Sequence, residues 1–333
     1  MTSDAAGSIR AARLTDRQAL VALSRQVHDA SEGFRRSLGV PARSASVPRI
    51  SLAALMPSWL PLRSPSVHMV AELEGDLVGS CRAIEEPHRD DWVITELDAA
   101  ESPMAGEVRY ALLRAVIEEG AQRNVARYHA ACADVPENME LFGQLSFMAY
   151  AQEEIWYRPP GPVAGGKAAE KDLLPATSPD AWHLFDLWTH TTPPAIARIE
   201  AYGAEDWESV GHEGVVPRSS LNPLLRFTDV SAWLLPEGHR LAGFAQHGAS
   251  RAGPHYLRFL VREGADGAKF LKGALAAAGD DALSAGILAP VRTYESTGRQ
   301  AAEATGFEAV GQVSMLVREV RASVRQPAMV PAV

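Results

Sequence analysis

The chain has 333 residues, a formal net charge of -9, and a composition of 47% hydrophobic and 22% charged residues. A chain of this length is longer than one typical domain, and its apolar residues are enough to fill two hydrophobic cores. These features exclude a mainly disordered protein and favour two domains. The acidic balance argues against a broad nucleic-acid surface, because phosphate binding needs concentrated Lys and Arg.

Cysteine usage and the chain start indicate the compartment. Cys81 and Cys132 are too few for a disulfide framework, and both lie in apolar, strand-like runs. The first residues lack the basic and apolar segments of a secretion signal, and no run reaches the roughly 18 apolar residues of a membrane span. We therefore expect a cytoplasmic protein with no membrane partner.

The first half of the sequence predicts strands alternating with helices. A short strand leads into an amphipathic helix that starts at Thr15-Asp16, and Glu74-Gly75-Asp76 marks the turn of a hairpin. The remaining segments are a strand over 90–99, a helix over 106–124, a strand over 125–133, a short helix through Phe142 and a strand over 149–157.

A stretch rich in Pro, Gly and Ala, residues 158–178, predicts a linker. The same order of elements then returns. It comprises a helix over 178–192, a hairpin over 230–248 turning at Glu237-Gly238, a strand over 255–261, a helix over 267–281, a strand over 282–290, a helix over 292–305 and a strand over 309–320.

Two features recur at nearly equal offsets. Gly79 and Gly243 occupy equivalent places in the two hairpins, 164 residues apart. Phe147 and Phe307, which follow Leu-Ser and Thr-Gly at the entry to the last strand of each half, are 160 residues apart. Matching offsets at different motifs predict a duplicated domain.

The repeated order resembles the GNAT superfamily of acyl-CoA N-acyltransferases. The resemblance covers most of the chain twice, and rests on "IRAARLTD", "MVAELEGDLVGS", "TELDA" and the two Phe corners. It implies an α/β (α+β) fold of two GNAT-like domains, each a mixed, splayed sheet flanked by helices. We expect domains over 1–157 and 179–320, a linker over 158–178, a flexible tail over 321–333, and two separate sheets.

The resemblance also implies acetyl-CoA or another acyl-CoA as co-substrate, with no metal. Its pantetheine would enter between the fourth and fifth strands, and its pyrophosphate would meet a glycine-rich helix start. In the first copy this places Gly106 and Arg109 at the pyrophosphate, although Glu107 stands where the family has glycine. The second copy offers Gly264, Ala265, Gly267 and Ala268, which we predict to be the better phosphate site.

For catalysis, Glu96 stands where many family members carry a base on the central strand, and a solvated strand glutamate is the alternative. His129 is a second candidate base, although a histidine in an apolar strand is more often a core residue. Phe142 and Ala302 occupy the positions where many family members have a tyrosine that protonates the leaving thiolate.

These residues predict an N-acyltransferase that moves the acyl group directly to an amine of a small molecule or peptide. A non-catalytic tandem GNAT-like binding or regulatory module is the alternative. Transfer from aminoacyl-tRNA is a third reading, which the acidic balance disfavours. We expect no nucleic-acid partner, and the sequence leaves the oligomeric state open.

Overall fold

The computed structural model describes residues 7–23, 66–86, 89–208, 210, 217–221, 227–251 and 253–320. Within these ranges no helix is long and apolar enough to cross a membrane. The predicted tail over 321–333 lies outside the described residues. The statements below concern the described part of the chain.

The first half contains the predicted alternation of strands and helices. Its elements are β1 (Ser8–Ala11), α1 (described over 17–23), β2 (Ser66–Leu73), β3 (Asp76–Glu85), β4 (Asp91–Ala99), α2 (Ala105–Gln122), β5 (Arg127–Ala133), α3 (Pro136–Gln144) and β6 (Met148–Arg158).

The predicted linker contains two short elements that pack on the second half. A helix from Gly166 packs on the helix from Gly267, and Leu174–Pro175 pairs with the strand that begins at Asp229. The second half contains α4 (Gly166–Glu170), β7 (Leu174–Pro175), α5 (Ala181–Thr191), α6 (Pro194–Glu200), β8 (Asp229–Glu237), β9 (Arg240–Ala249), β10 (His255–Val261), α7 (Gly267–Ala277), α8 (Gly279–Ala285), β11 (Ile287–Arg292), α9 (Ser296–Ala304) and β12 (Glu308–Glu319).

One predicted boundary in the second half was wrong. Residues 282–285, expected to begin a strand, complete the helix α8, and the strand β11 starts at Ile287. Gly279, with a φ of 87°, is the first residue of α8, and Gly286, with a φ of 81°, separates α8 from β11. Such left-handed backbone is readily adopted by glycine, so these two residues mark the true ends of the helices.

All twelve strands form one sheet in the order β1-β2-β3-β4-β5-β12-β6-β11-β10-β9-β8-β7. The last strand of each half has been exchanged. β12, from the second half, pairs antiparallel with β5, whereas β6, from the first half, pairs antiparallel with β11. The expectation of two separate sheets was therefore wrong, because the two closing strands lie side by side at the centre and join the halves.

Each hydrophobic core contains a residue of the exchanged strand. The core under α2 includes Leu316 of β12, which is 1% exposed. The core under α7 includes Trp156 of β6, which is 5% exposed. A third cluster, on the opposite face of the second half, packs α5 on β8, β9 and β10. Each half thus completes its core with a residue from the other half.

The corners that suggested duplication have the same geometry. The backbone N–H of Phe147 donates to the carbonyl of Phe142 at 3.1 Å, and that of Phe307 donates to the carbonyl of Ala302 at 3.1 Å. Both Phe rings are buried. Close packing explains why position 79 is a glycine, since a Cβ there would lie 2.6 Å from Cγ1 of Val108 on α2. The repeated architecture predicted from the sequence is confirmed.

The strand exchange predicts a cross-half effect on stability. Leu316→Ala should lower the free energy of unfolding by about 2–5 kcal/mol, because it leaves a cavity in a filled core. Although Leu316 belongs to the second half, amide hydrogen exchange should accelerate in α2 and β5 of the first half. Met148→Ala on β6, where the side chain is 61% exposed, is the matched control. Acceleration confined to α7 and α9 would contradict the exchange.

Candidate active site

Each half contains a pair of parallel strands that part toward their carboxyl ends. β4 and β5 are in register only from Asp91↔Arg127 to Val93↔His129. β10 and β11 are in register over His255↔Ile287 and the pair that follows it. Beyond these points the strands separate, which leaves backbone groups of β4 and β10 facing a gap.

A β-bulge at Thr95 sets the side chains at the first gap. Ala83 pairs with Ile94 and Arg82 pairs with Glu96, so Thr95 is the extra residue. Its hydroxyl donates to the carbonyl of Arg82 at 3.3 Å. The bulge interrupts the simple alternation of faces along β4. Glu96 consequently lies on the face of the sheet opposite α2.

Glu96 is accessible at the edge of this gap. Its side chain is 40% exposed, and its Oε1 lies 3.7 Å from Nη1 of Arg82. This separation is an ion pair at longer than hydrogen-bond distance, so the carboxylate keeps lone pairs available to another donor. The location fits the predicted base, and the role of Glu96 stays a prediction.

A small cavity lies where β4 and β5 part. Its empty volume is about 360 Å³, part of it open to solvent. Three strands and one segment of the second half contribute the lining residues, which are Val93, Ile94, Thr95, His129, Ala130, Ala131, Arg218, Ser219, Ser220 and Met315. The first gap is therefore bordered by residues from both halves.

The segment 217–221 makes hydrogen bonds to both halves. The hydroxyl groups of Ser219 and Tyr256 lie 2.9 Å apart. Both the backbone N–H and the hydroxyl of Ser220 donate to Oε1 of Glu153, at 2.8 and 2.6 Å. These bonds are buried, which makes them costly to break and fixes the segment as a wall of the cavity.

Arg218 anchors this wall to the first half. Its Nε donates to Oε1 of Glu86 at 2.9 Å, and its Nη2 also donates to that carboxylate. Its Nη1 lies 3.3 Å from Nδ1 of His129. Arg218 is 4% exposed; burial lowers its pKa, but Tyr202 and Glu86 together raise it above the usual value. The guanidinium therefore stays charged and holds the histidine ring from one side.

The His129 ring lies between Arg218 and Asp91, a position that suits a core histidine better than a base. Because arginine only donates, Nδ1 of His129 must accept, and the ring proton lies on Nε2. Nε2 is 3.5 Å from Oδ2 of Asp91. Burial, and then the charge of Arg218, lower the pKa of His129 to about 4. Both ring nitrogens face protein groups, so the alternative of a core histidine fits the geometry better than a base.

Asp91 supplies the negative charge of this cluster. It is 1% exposed, and its Oδ1 accepts from Nε of Arg127 at 3.0 Å. Burial would raise the pKa of Asp91, but the nearby His129 ring and the charges of Arg127 and Arg218 together lower it. The carboxylate is thus ionised at neutral pH and compensates the buried arginines.

The two predicted pyrophosphate loops differ in how their helices begin. α2 has no side-chain cap, and a Cβ on Gly106 would have no atom within 4 Å. Glu107 is exposed in the first turn, and Nε of Arg109 is buried with no hydrogen-bond partner among the described residues. The start of α2 therefore has room for an anion beside one opposing carboxylate.

In the second half Asp266 caps α7, because its carboxylate accepts from the backbone N–H of Lys269 at 2.9 Å. Ala268 is half-buried in the first turn of α7, between Gly267 and Lys269. A Cβ on Gly267 would lie 3.1 Å from Ala301 of α9, so α7 and α9 are in close contact.

The turn that precedes α7 is ordered by local contacts. Gly264 has a φ of 86°, and the backbone N–H of Ala265 donates to the carbonyl of Arg262 at 3.2 Å. The capped and packed start of α7 favours a helix-capping turn over the predicted phosphate role of Gly264, Ala265, Gly267 and Ala268, which stays a prediction.

Among the described residues, few candidate proton donors lie at the first gap. Phe142 and Ala302, at the family's tyrosine positions, are buried in the two cores. Burial raises the pKa of Tyr294 and raises that of Tyr150 to about 12. Tyr150, which the sequence reasoning did not select, donates to Oε1 of Glu200 at 3.3 Å. A phenol at the family's place is absent from both described α3 and α9.

The cysteines are not activated nucleophiles. Cys81 is fully buried in the first core, and burial raises its pKa. Burial also raises the pKa of the Cys132 thiol to about 11. Thiols with raised pKa values are poor nucleophiles at neutral pH. Among the residues that the structure describes, no three His, Cys, Asp or Glu side chains are grouped as metal ligands.

Solved GNAT structures match this chain over 94% of its length. They include a GCN5-related N-acetyltransferase from Sphaerobacter thermophilus (TM-score 0.53, 14% identity, 95% of that chain covered), a tandem GNAT protein from the clavulanic acid biosynthesis pathway (0.50, 12%, 98%) and a candidate acetyltransferase from Pyrococcus horikoshii (0.52, 12%, 89%). No protein-family model and no curated protein matches the sequence. At these identities the likeness establishes the fold, and the tandem GNAT fold is confirmed.

The neutral state of His129 predicts a pH dependence of stability. Its folded pKa of about 4 lies below the usual value of 6.5, so between these values the unfolded chain binds more protons. The free energy of unfolding should therefore rise from pH 4 to 6.5, with His129 contributing on the order of 3 kcal/mol. Denaturant unfolding of His129→Gln should show a shallower rise than the control His183→Gln, where the side chain is exposed. Equal slopes would contradict the assignment.

Proposed function

We propose that this tandem GNAT-fold chain is an acyl-CoA-dependent N-acyltransferase, with acetyl-CoA as the first acyl donor to test. The observation that carries the proposal is the gap between β4 and β5, with the exposed Glu96 at its edge and the bulge at Thr95 beside it. We propose an amine of a small molecule or peptide as the acceptor. The acidic net charge and the lack of disulfides support a cytoplasmic protein without a nucleic-acid or membrane partner.

We assign acyl-CoA to the first copy. The unpaired edge of β4 offers backbone groups to the pantetheine, and the uncapped start of α2 at Gly106 offers N–H groups to the pyrophosphate. Arg109 would add a positive charge, while Glu107 opposes binding. In the second copy, Asp266 already occupies the helix start. That half instead contributes the cavity wall at Arg218.

The reaction we propose is direct attack of the amine on the thioester carbon. The new C–N bond forms as the C–S bond breaks, and Glu96 accepts the proton that the amine loses. The leaving thiolate takes its proton from water, because Phe142 and Ala302 cannot donate one. Buried Cys81 and half-buried Cys132, both with raised pKa values, support a mechanism without an acyl-enzyme.

A non-catalytic binding module remains the second candidate. The missing phenol at positions 142 and 302, and the capped start of α7, favour this alternative. Binding of acetyl-CoA without turnover toward any amine would select it over the transferase.

Calorimetry with acetyl-CoA should give one site per chain. Glu107→Gln should tighten binding about threefold, because it removes a negative charge from the helix start that meets the pyrophosphate. The matched control is Glu263→Gln, an exposed glutamate that precedes α7 in the second copy, and it should leave the affinity unchanged. A stoichiometry of two, or a response to Glu263→Gln alone, would contradict the assignment to the first copy.

Replacing the proposed base should change the pH–rate profile. Glu96→Gln should lower turnover roughly a hundredfold at low pH, where the amine most needs deprotonation, and less at high pH. Binding of acetyl-CoA should be preserved. Glu101→Gln, an exposed glutamate that follows β4, serves as the control. A profile for Glu96→Gln that matches the control would remove Glu96 from the mechanism.

A further inference from the structure

Three polar side chains form a row across β2, β3 and β4, on the face opposite α2. His68 pairs with Arg82, and Arg82 pairs with Glu96. Directly opposed residues on antiparallel strands have Cβ atoms about 4.5–5.5 Å apart, so each can share a ligand with the next. The row ends at the gap between β4 and β5, where Glu96 is the outermost member.

Arg82 is incompletely paired for a half-buried cation. Its side chain is 16% exposed, and its ion pair to Glu96 spans 3.7 Å. Its Nε is buried and has no hydrogen-bond partner in the described part of the chain. An arginine offers five N–H donors in a planar fork that matches a carboxylate. Arg82 is therefore a cation with donors left for an anion.

His68 extends the same row inward. It is 7% exposed, and its Nε2 is buried without a hydrogen-bond partner among the described residues. The nearby acid, Asp16, makes hydrogen bonds to Arg10, at 2.6 and 2.9 Å, and none to Nε2 of His68. His68 thus leaves Nε2 open on the residue that is paired with Arg82, and burial of an unsatisfied polar atom is costly.

The geometry points to an acceptor that is an α-amino acid, bound with its carboxylate on Arg82 and His68 and its amine beside Glu96. This inference rests on the proposed acyltransferase function and names its substrate class. An α-amino acid carries its amine and its carboxylate on one carbon. The two groups are therefore close enough to contact neighbouring residues on adjacent strands at the same time. The ligand would replace the loose contact between Arg82 and Glu96 with two charge-assisted hydrogen bonds.

The pairing of charges favours a zwitterion over a simple amine. A monoamine would pair with the Glu96 carboxylate. It would thereby weaken the ion pair between Glu96 and Arg82, and the positive charge of the half-buried Arg82 would be less compensated. The amine of a peptide N-terminus lacks a carboxylate on the same carbon, so it also leaves Arg82 unpaired. An α-amino acid compensates both groups at once.

The test compares each of the proteinogenic L-amino acids with the corresponding decarboxylated amines, such as L-phenylalanine with phenylethylamine, using acetyl-CoA and the full chain. The wild-type protein should acetylate at least one amino acid with a KM at least tenfold below that of its amine. An amine acetylated as well as its amino acid would overturn this inference alone. No turnover with any compound would overturn the proposed function, and this inference with it.

Arg82→Gln should raise KM for the amino acid tenfold or more, with little change in kcat, and should not raise KM for the amine. Arg82→Lys should recover part of the lost affinity, because it keeps the charge but not the fork. Arg114→Gln, where the arginine is 59% exposed on α2, is the control, and thermal unfolding of each variant checks folding. A KM increase of equal size for amino acid and amine would show that Arg82 supports only the structure and would overturn the inference.

Discussion

The pairing of β12 with β5 is the interaction on which the rest of the molecule depends. It removes each closing strand from its own half and fills the opposite core, with Leu316 in one and Trp156 in the other. The two halves therefore share one sheet and lack independent closure. Non-local pairing of this kind costs loop entropy before it gains contacts, which slows folding.

The exchange also forces charge into the interior, because it brings the inner faces of both halves together. Arg292, 1% exposed, lies 3.2 Å from Glu153 and donates to Glu200 at 2.9 Å. Burial raises the pKa of Glu200, although the charge of Arg292 opposes the shift. Buried pairs contribute little net stability, but an unmatched member is strongly destabilising. This seam therefore selects one relative placement of the halves, and that placement brings Arg218 to the first gap.

The sequence predicted what depends on local pattern, and missed what depends on contacts between halves. The hairpin glycine Gly79 and the Phe corners identified the repeat because each is required by its own turn or packing. Glu96 was selected from its place on the central strand. The bulge at Thr95, which sets the face of the sheet on which Glu96 lies, could not be predicted because the sequence of the strand alternates normally there. Arg218 was missed since its short segment has no periodicity. The exchange itself was not predictable, because β6 and β12 have the same pattern and either could close either half.

Under the proposed function, the two copies have different tasks. A second complete cofactor site would need an open helix start, yet α7 is capped by Asp266 and packed on α9 through Gly267. In the second copy Arg258, on β10 beyond its last residue paired with β11, is 1% exposed, and its ion pair with Glu295 links β10 to the segment that follows β11 across the second gap. Closing one gap rigidifies the wall of the other, and preorganisation of this kind lowers the cost of holding an acceptor in place. The degenerate motifs of the second copy are then consistent with a supporting role for that half.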